Sequence, residues 1–274
     1  MSGHLIADET DAPTCPPGSE PLHTWPRLEA ILQKPLSLPR WVGWRLKAMV
    51  AIVVLAWLAP CWSLRPWVLM KALGIAFDDR VEPFTKPVNY DEFRAFSPTG
   101  QVPVLLDADR VVHDSLGICL YLAERHGGVW PDDEAARAWA QCAVAEMHGG
   151  FAALRNACPM NVGVRVRPKP LSDAVAQNVQ RLQELWSEGL SRFGGPWLGG
   201  SAFSAVDAFF APVAYRVRTY GLDVGAGQAW VDHIIAHPAM QQWEAEALAE
   251  SWREASHEEE LRDAGDILAD YRVS

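Results

Sequence analysis

The chain is short of positive charge. Its 24 Lys and Arg stand against 34 Asp and Glu, a formal net charge of −10. A surface that tracks phosphates needs the opposite balance, so nucleic acid is a poor partner for it. Paired cysteines are missing as well. The five present (Cys15, Cys61, Cys119, Cys142, Cys158) are odd in number and show no C-x-x-C spacing. That argues against a disulfide framework and against a metal site of the zinc type, and it fits a reduced, cytoplasmic compartment. Cys119, Cys142 and Cys158 fall in helical patterns, where the expectation is a small buried hydrophobe. Nor is there an apolar run of the roughly 20 residues that a membrane helix requires. The run Ala48–Pro60 starts too far into the chain for a secretory signal, and Pro60 stands where a small residue should precede Cys61. Its β-branched Ile52-Val53-Val54 favours a buried strand.

What is present is an ample core. Of the 274 residues 49% are hydrophobic, which excludes a disordered chain and leaves room for two domains. Residues 1–48 are proline-rich without a sustained period and are expected to form a poorly structured, dispensable extension. From Met49 to residue 128 strand and helix patterns alternate. Strands are expected at Ala51–Trp57, Phe77–Glu82, Val104–Leu106 and Arg110–His113. Helices are expected at Ser63–Leu73, ended by Gly74, around Tyr90–Phe96, and at Ser115–Arg125. This is a small four-stranded α/β domain. Residues 129–252 read as an all-α domain, with helices at Asp132–Ala157, Ser172–Phe193, Ser204–Tyr220, Gln228–Ala236 and Pro238–Trp252. Ser204-Ala205-Val206-Asp207 has the form of a capping box, with Asp in place of Glu. Between Glu244 and Ser274 ten acidic residues face three basic ones, so most of the net charge lies there. Residues 253–274 are expected to be an acidic, solvated tail.

Three segments carry more than a scaffold: Cys61-Trp62-Ser63-Leu64-Arg65-Pro66-Trp67, Ser97-Pro98-Thr99-Gly100-Gln101-Val102-Pro103-Val104, and His113-Asp114-Ser115-Leu116-Gly117-Ile118-Cys119. In order and spacing they resemble glutathione transferases, nearest to soluble bacterial members of the serine-type, zeta-like branch. Glu146-Met147-His148-Gly149-Gly150-Phe151, Pro159-Met160-Asn161-Val162 and Arg218-Thr219-Tyr220-Gly221 agree with the helical domain of that family. The resemblance covers about Met49 to Trp252. It implies a thioredoxin-like N-terminal domain followed by a helical C-terminal domain. It also implies glutathione as co-substrate, a small electrophilic second substrate, detoxification chemistry, a homodimer and no metal.

The same resemblance assigns residues. A cis Val102–Pro103 bond would leave the Val102 amide and carbonyl free to pair with the tripeptide in β fashion. Asp114 and Ser115 open a helix and suit plain N-capping. In the family pattern Ser115 and the first helical amides hold the γ-glutamyl carboxylate, while Asp114 approaches the ammonium. The usual Ser or Cys at the start of the first helix falls on Pro60, which has neither hydroxyl nor thiol. Cys61 and Ser63 are the catalytic candidates that remain. Cys61 has three readings: a thiolate that forms mixed disulfides, a sulfhydryl donor to the glutathione sulfur, or a buried residue. Ser63 is read as an N-cap before a catalyst. Met147, His148 and Phe151 lie on the helix that faces the acceptor. Arg165, with Arg167 and Lys169, forms a basic cluster in a loop, either solvated or an anchor for a carboxylate. Two rival functions are a thiol-disulfide oxidoreductase using Cys61 and a non-enzymatic glutathione-binding scaffold.

Overall fold

The computed structural model describes residues 50–54, 61–82 and 90–273. The 1–48 extension, Cys15 and Pro60 lie outside the described residues. The apolar run contains β1 (Val50–Val54). After it come α1 (Cys61–Ala72), β2 (Phe77–Val81), α2 (Tyr90–Phe93), β3 (Val104–Asp107), β4 (Arg110–His113) and α3 (Ser115–Ala123). They form one sheet of order β2-β1-β3-β4, in which β1 and β2 run parallel and the other pairs antiparallel. Gly74 ends α1 with a φ of 65°, a backbone that glycine adopts without a Cβ clash. Leu105 of β3 packs into one core with Leu64, Val68 and Leu69 of α1 and Ile118 and Leu122 of α3, and its neighbours Val104 and Leu106 are buried as well.

The second part comprises α4 (Glu134–Gly149), α5 (Ala152–Ala157), β5 (Val164–Pro168), α6 (Asp173–Phe193), α7 (Ala205–Tyr220), α8 (Gln228–Ile235), α9 (Pro238–Leu248), α10 (Ala255–Ala264) and β6 (Gly265–Asp270). Its axis is α7, in which every residue except Arg218 is buried. The capping box at Ser204 and Asp207 is present. Asp207, wholly buried, accepts from the Leu198 and Ser204 amides at 2.9 and 3.0 Å and from Trp230 Nε1 at 2.9 Å. Burial raises its carboxyl to about 6, and those hydrogen bonds oppose the rise. Trp67 of α1 meets Trp243 of α9 edge to face with ring centroids 5.1 Å apart, so the two parts share one core.

Three features depart from the sequence pattern. The helix expected over Asp132–Ala157 is two helices, α4 and α5. They are separated at Gly150, where a Cβ would lie 2.6 Å from the Glu146 carbonyl, and at Phe151, whose φ is 58°. The helical part also contains a two-stranded antiparallel sheet of β5 and β6. The acidic stretch after Trp252 is therefore built in: Leu261 is buried, and Arg272, 4% exposed, pairs with Glu258 and Asp270. Finally, Cys142 is exposed where a buried thiol was expected, whereas Cys119 and Cys158 are buried. Burial pushes the Cys119 thiol up, and the Cys158 thiol up to about 11, so both stay protonated.

Candidate active site

A cavity of about 640 Å³ opens between the two parts. One wall comes from the α/β part, and its geometry follows from three places where an element begins. The first is the start of α1, which places Cys61, Trp62 and Ser63 on the cavity. Cys61 is half-buried. Ser63 is the third residue of α1 and so is not its N-cap. Its hydroxyl is buried without a hydrogen-bond partner.

The second is the start of β3. Ser97 Oγ donates to the Gln101 carbonyl at 2.6 Å and accepts from the Gln101 amide at 3.2 Å, which fixes the loop. The Val102–Pro103 bond is cis, as the resemblance implied, and both residues line the cavity. Pro103 has no N–H to give to a ladder and stands directly before the strand, where its absence costs nothing.

The third is the β4–α3 junction. Asp114 is the N-cap: its Oδ1 accepts from the Leu116 amide at 2.7 Å and the Gly117 amide at 3.3 Å. Its φ of 67° is unusual for a residue with a side chain. Because Asp114 does the capping, Ser115 has no such work. Its hydroxyl is buried without a partner and the residue lines the cavity. Buried hydroxyls are nearly always bonded, so these two invite a ligand or water.

The opposite wall belongs to the helical part. His148 of α4 faces Asp114, with Nε2 to Oδ2 at 3.4 Å, and meets the Trp62 ring edge to face at 5.3 Å. Burial lowers its pKa, against the pull of Asp114. Arg155 of α5, Met160, Asn161 and Arg216 of α7 continue this wall, and His257, Glu260 and Leu261 of α10 close it. These arginines and the α10 residues carry no local sequence pattern that marks them.

Of the predicted site residues, Cys61, Ser63, Val102, Pro103, Asp114, Ser115 and His148 come together on one cavity. Met147 and Arg165 do not. Met147 is buried in the core, as is Phe151: one step along α4 turns the side chain by about 100°, away from the cavity face that His148 occupies. Arg165 lies in β5, not in a loop. Side chains alternate along a strand, so Val164 and Val166 face the core and Arg165 and Arg167 turn away. Arg165 sits over the Tyr271 ring at 5.2 Å, and Arg167 is 3.8 Å from Asp266. Among the described residues no cluster of His, Cys, Asp and Glu could hold a metal ion, and no helix is long and apolar enough to cross a membrane.

The fold has counterparts. Residues 60–125 match the family model for the glutathione S-transferase N-terminal domain, and residues 132–246 the model for its C-terminal domain. Among solved structures, a Burkholderia glutathione transferase homologue with bound glutathione is 20% identical, with a TM-score of 0.56 over 73% of this chain and 98% of its own. A tau class enzyme from mango is 19% identical, TM-score 0.57, over 73% and 96%. A theta class enzyme from Xanthomonas axonopodis with glutathione bound is 21% identical, TM-score 0.54, over 72% and 97%. At these identities the likeness concerns the fold. No curated protein matches the chain. With both domain models matched in order across most of its length, the chain belongs to the glutathione S-transferase family.

Proposed function

We propose that the chain binds glutathione along Val102 and Ser115 and activates its thiol for attack on a small electrophile. The observation that carries this reading is the buried Ser115 hydroxyl, partnerless at the first turn of α3 on the same cavity as Val102 and Cys61. Helix amides and a hydroxyl there suit a carboxylate, and Asp114 suits an ammonium. The tripeptide would then run toward the start of α1, where Ser63 and the helix N-terminus favour a thiolate. The sulfur forms a bond to the electrophilic carbon, the leaving group departs with its electron pair, and the thiol proton goes to solvent. Approximation supplies most of the acceleration. A chlorodinitrobenzene assay tests the reaction. Conjugation well above the uncatalysed rate is expected, and binding of glutathione without any turnover would leave only the scaffold reading.

A second reading has its own support. Cys61 is half-buried on the cavity at the first residue of α1, within the field of the buried Arg65 guanidinium. That setting suits thiol-disulfide exchange through a mixed disulfide with glutathione. The assembly we propose is a cytoplasmic homodimer, and light scattering at twice the chain mass is the expected result.

A further inference from the structure

The helical wall of the cavity holds positive charge that no acidic side chain among the described residues neutralises. Arg155 lines the cavity, and its guanidinium lies 5.1 Å from the Trp62 ring centroid, with no ion pair among the described residues. Arg216, 4% exposed, also lines it. Its Nη1 donates to the Arg155 carbonyl at 3.1 Å and to the Cys158 carbonyl, which fixes the side chain, and its other nitrogens have no partner among the described residues. Behind them lies Arg65, fully buried, with its guanidinium 4.2 Å from the Trp62 ring and 4.9 Å from that of Phe209. Its Nε and Nη1 have no hydrogen-bond partner among the described residues. Burial, then repulsion from Arg155 and Arg216, lower its pKa to about 10, so the three cations feel one another. Two acids line the same cavity, and neither pairs with these arginines. Asp114 caps α3 and faces His148, and Glu260 is exposed on α10.

An arginine pair without a counterion, one of them buried and anchored through a single nitrogen, is costly unless an anion completes it. We propose that this half of the cavity takes an anionic electrophile, a carboxylate-bearing molecule whose carboxylate is held by Arg155 and Arg216. The proposal rests on the reading of the opposite wall as the glutathione half. The planar guanidinium fork matches a carboxylate in two-point geometry, and Trp62 offers an aromatic face beside it. A chloronitrobenzoate with its carboxylate para to chlorine is a suitable reactant. The glutathione sulfur bonds to the ring carbon, the C–Cl bond breaks, chloride leaves with the electron pair, and the thiol proton passes to solvent.

Binding and turnover separate this proposal from the one beneath it. Nitrobenzoate, which has no leaving group, is titrated into the full chain by calorimetry without glutathione, alongside its methyl ester. The benzoate is expected to bind at least tenfold more tightly than the ester. Arg155→Met is expected to erase that preference and Arg155→Lys to keep part of it. The Arg155 side chain makes no hydrogen bond among the described residues, and unchanged unfolding temperatures would verify that the fold does not depend on it. With glutathione present, the ratio of kcat/KM for the chloronitrobenzoate over its ester, each divided by its uncatalysed rate, should fall about tenfold in Arg155→Met. Equal binding of acid and ester, binding of neither, or a preference that survives Arg155→Met would overturn the anionic site. If the benzoate binds as expected but glutathione does not, the glutathione reading fails and the anion site stands.

Discussion

The Asp114 carboxylate lies 3.4 Å from His148 Nε2, joining the N-terminus of α3 to α4 across the cavity. Burial keeps the imidazole below its ordinary range, so at neutral pH the ring facing Asp114 is uncharged. As pH falls below the ordinary histidine range, the unfolded chain takes up the proton first, and the folded state loses stability through this group.

Replacing Asp114 by Asn separates charge from capping. The amide oxygen still accepts from the Leu116 and Gly117 amides, so the unfolding temperature should barely change. The loss of a charge-assisted contact should weaken glutathione binding about tenfold. Equal affinity in Asp114→Asn, measured by calorimetry, would remove Asp114 from the ammonium site.

Cys61 decides between the two chemistries. A thiolate at Cys61 attacks glutathione disulfide, forms Cys61–S–S–glutathione and releases one glutathione thiolate. Intact mass spectrometry after such incubation reads the adduct. In Cys61→Ser the adduct and any disulfide-exchange activity should vanish, while conjugation of a chloroarene should fall by less than tenfold. Loss of conjugation together with exchange would make the protein thiol central.

The raised Asp207 carboxyl has a definite sign. Between about pH 4 and pH 6 the folded chain holds a proton that the unfolded chain has released, so this group's contribution to stability falls as pH rises. The size is on the order of 3 kcal/mol across the interval. Asp207→Asn should lower stability by about 1–3 kcal/mol, since one amide oxygen replaces two acceptor oxygens. It should also flatten that pH slope. Urea unfolding of both proteins across the interval checks this, and parallel curves would contradict it.

The C-terminal segment is predicted to be structural. Leu261 is buried in the core and lines the cavity, so Leu261→Ala should cost about 2–5 kcal/mol. Denaturant midpoints measure it, and a change within error would mean that α10 is peripheral.

Much of the α/β wall was legible because its signals are local. Asp114-Ser115 opens a helix within four residues and Val102–Pro103 precedes a strand directly; in the helical part the Ser204 capping box, spanning four residues, was legible for the same reason. What stayed hidden is non-local. Val164–Pro168 is a short alternation ending in proline, and it becomes a strand only through pairing with Gly265–Asp270, whose acidic surroundings read as solvated chain. Arg155 and Arg216 stand 61 residues apart on two helices, with no spacing that joins them. Met147 and His148 are neighbours in sequence, yet the turn of α4 sends one to the core and the other to the cavity.

The central claim is that Ser115 holds glutathione, and a calorimetric titration of reduced glutathione into the wild-type chain and Ser115→Ala tests it most directly. The hydroxyl bonds nothing among the described residues, so the variant should be at least as stable as wild type. Saturable binding to wild type, weakened by tenfold or more in Ser115→Ala with its unfolding temperature preserved, is the predicted result. Equal affinity in the two proteins, or no heat of binding to wild type at millimolar glutathione, would contradict it.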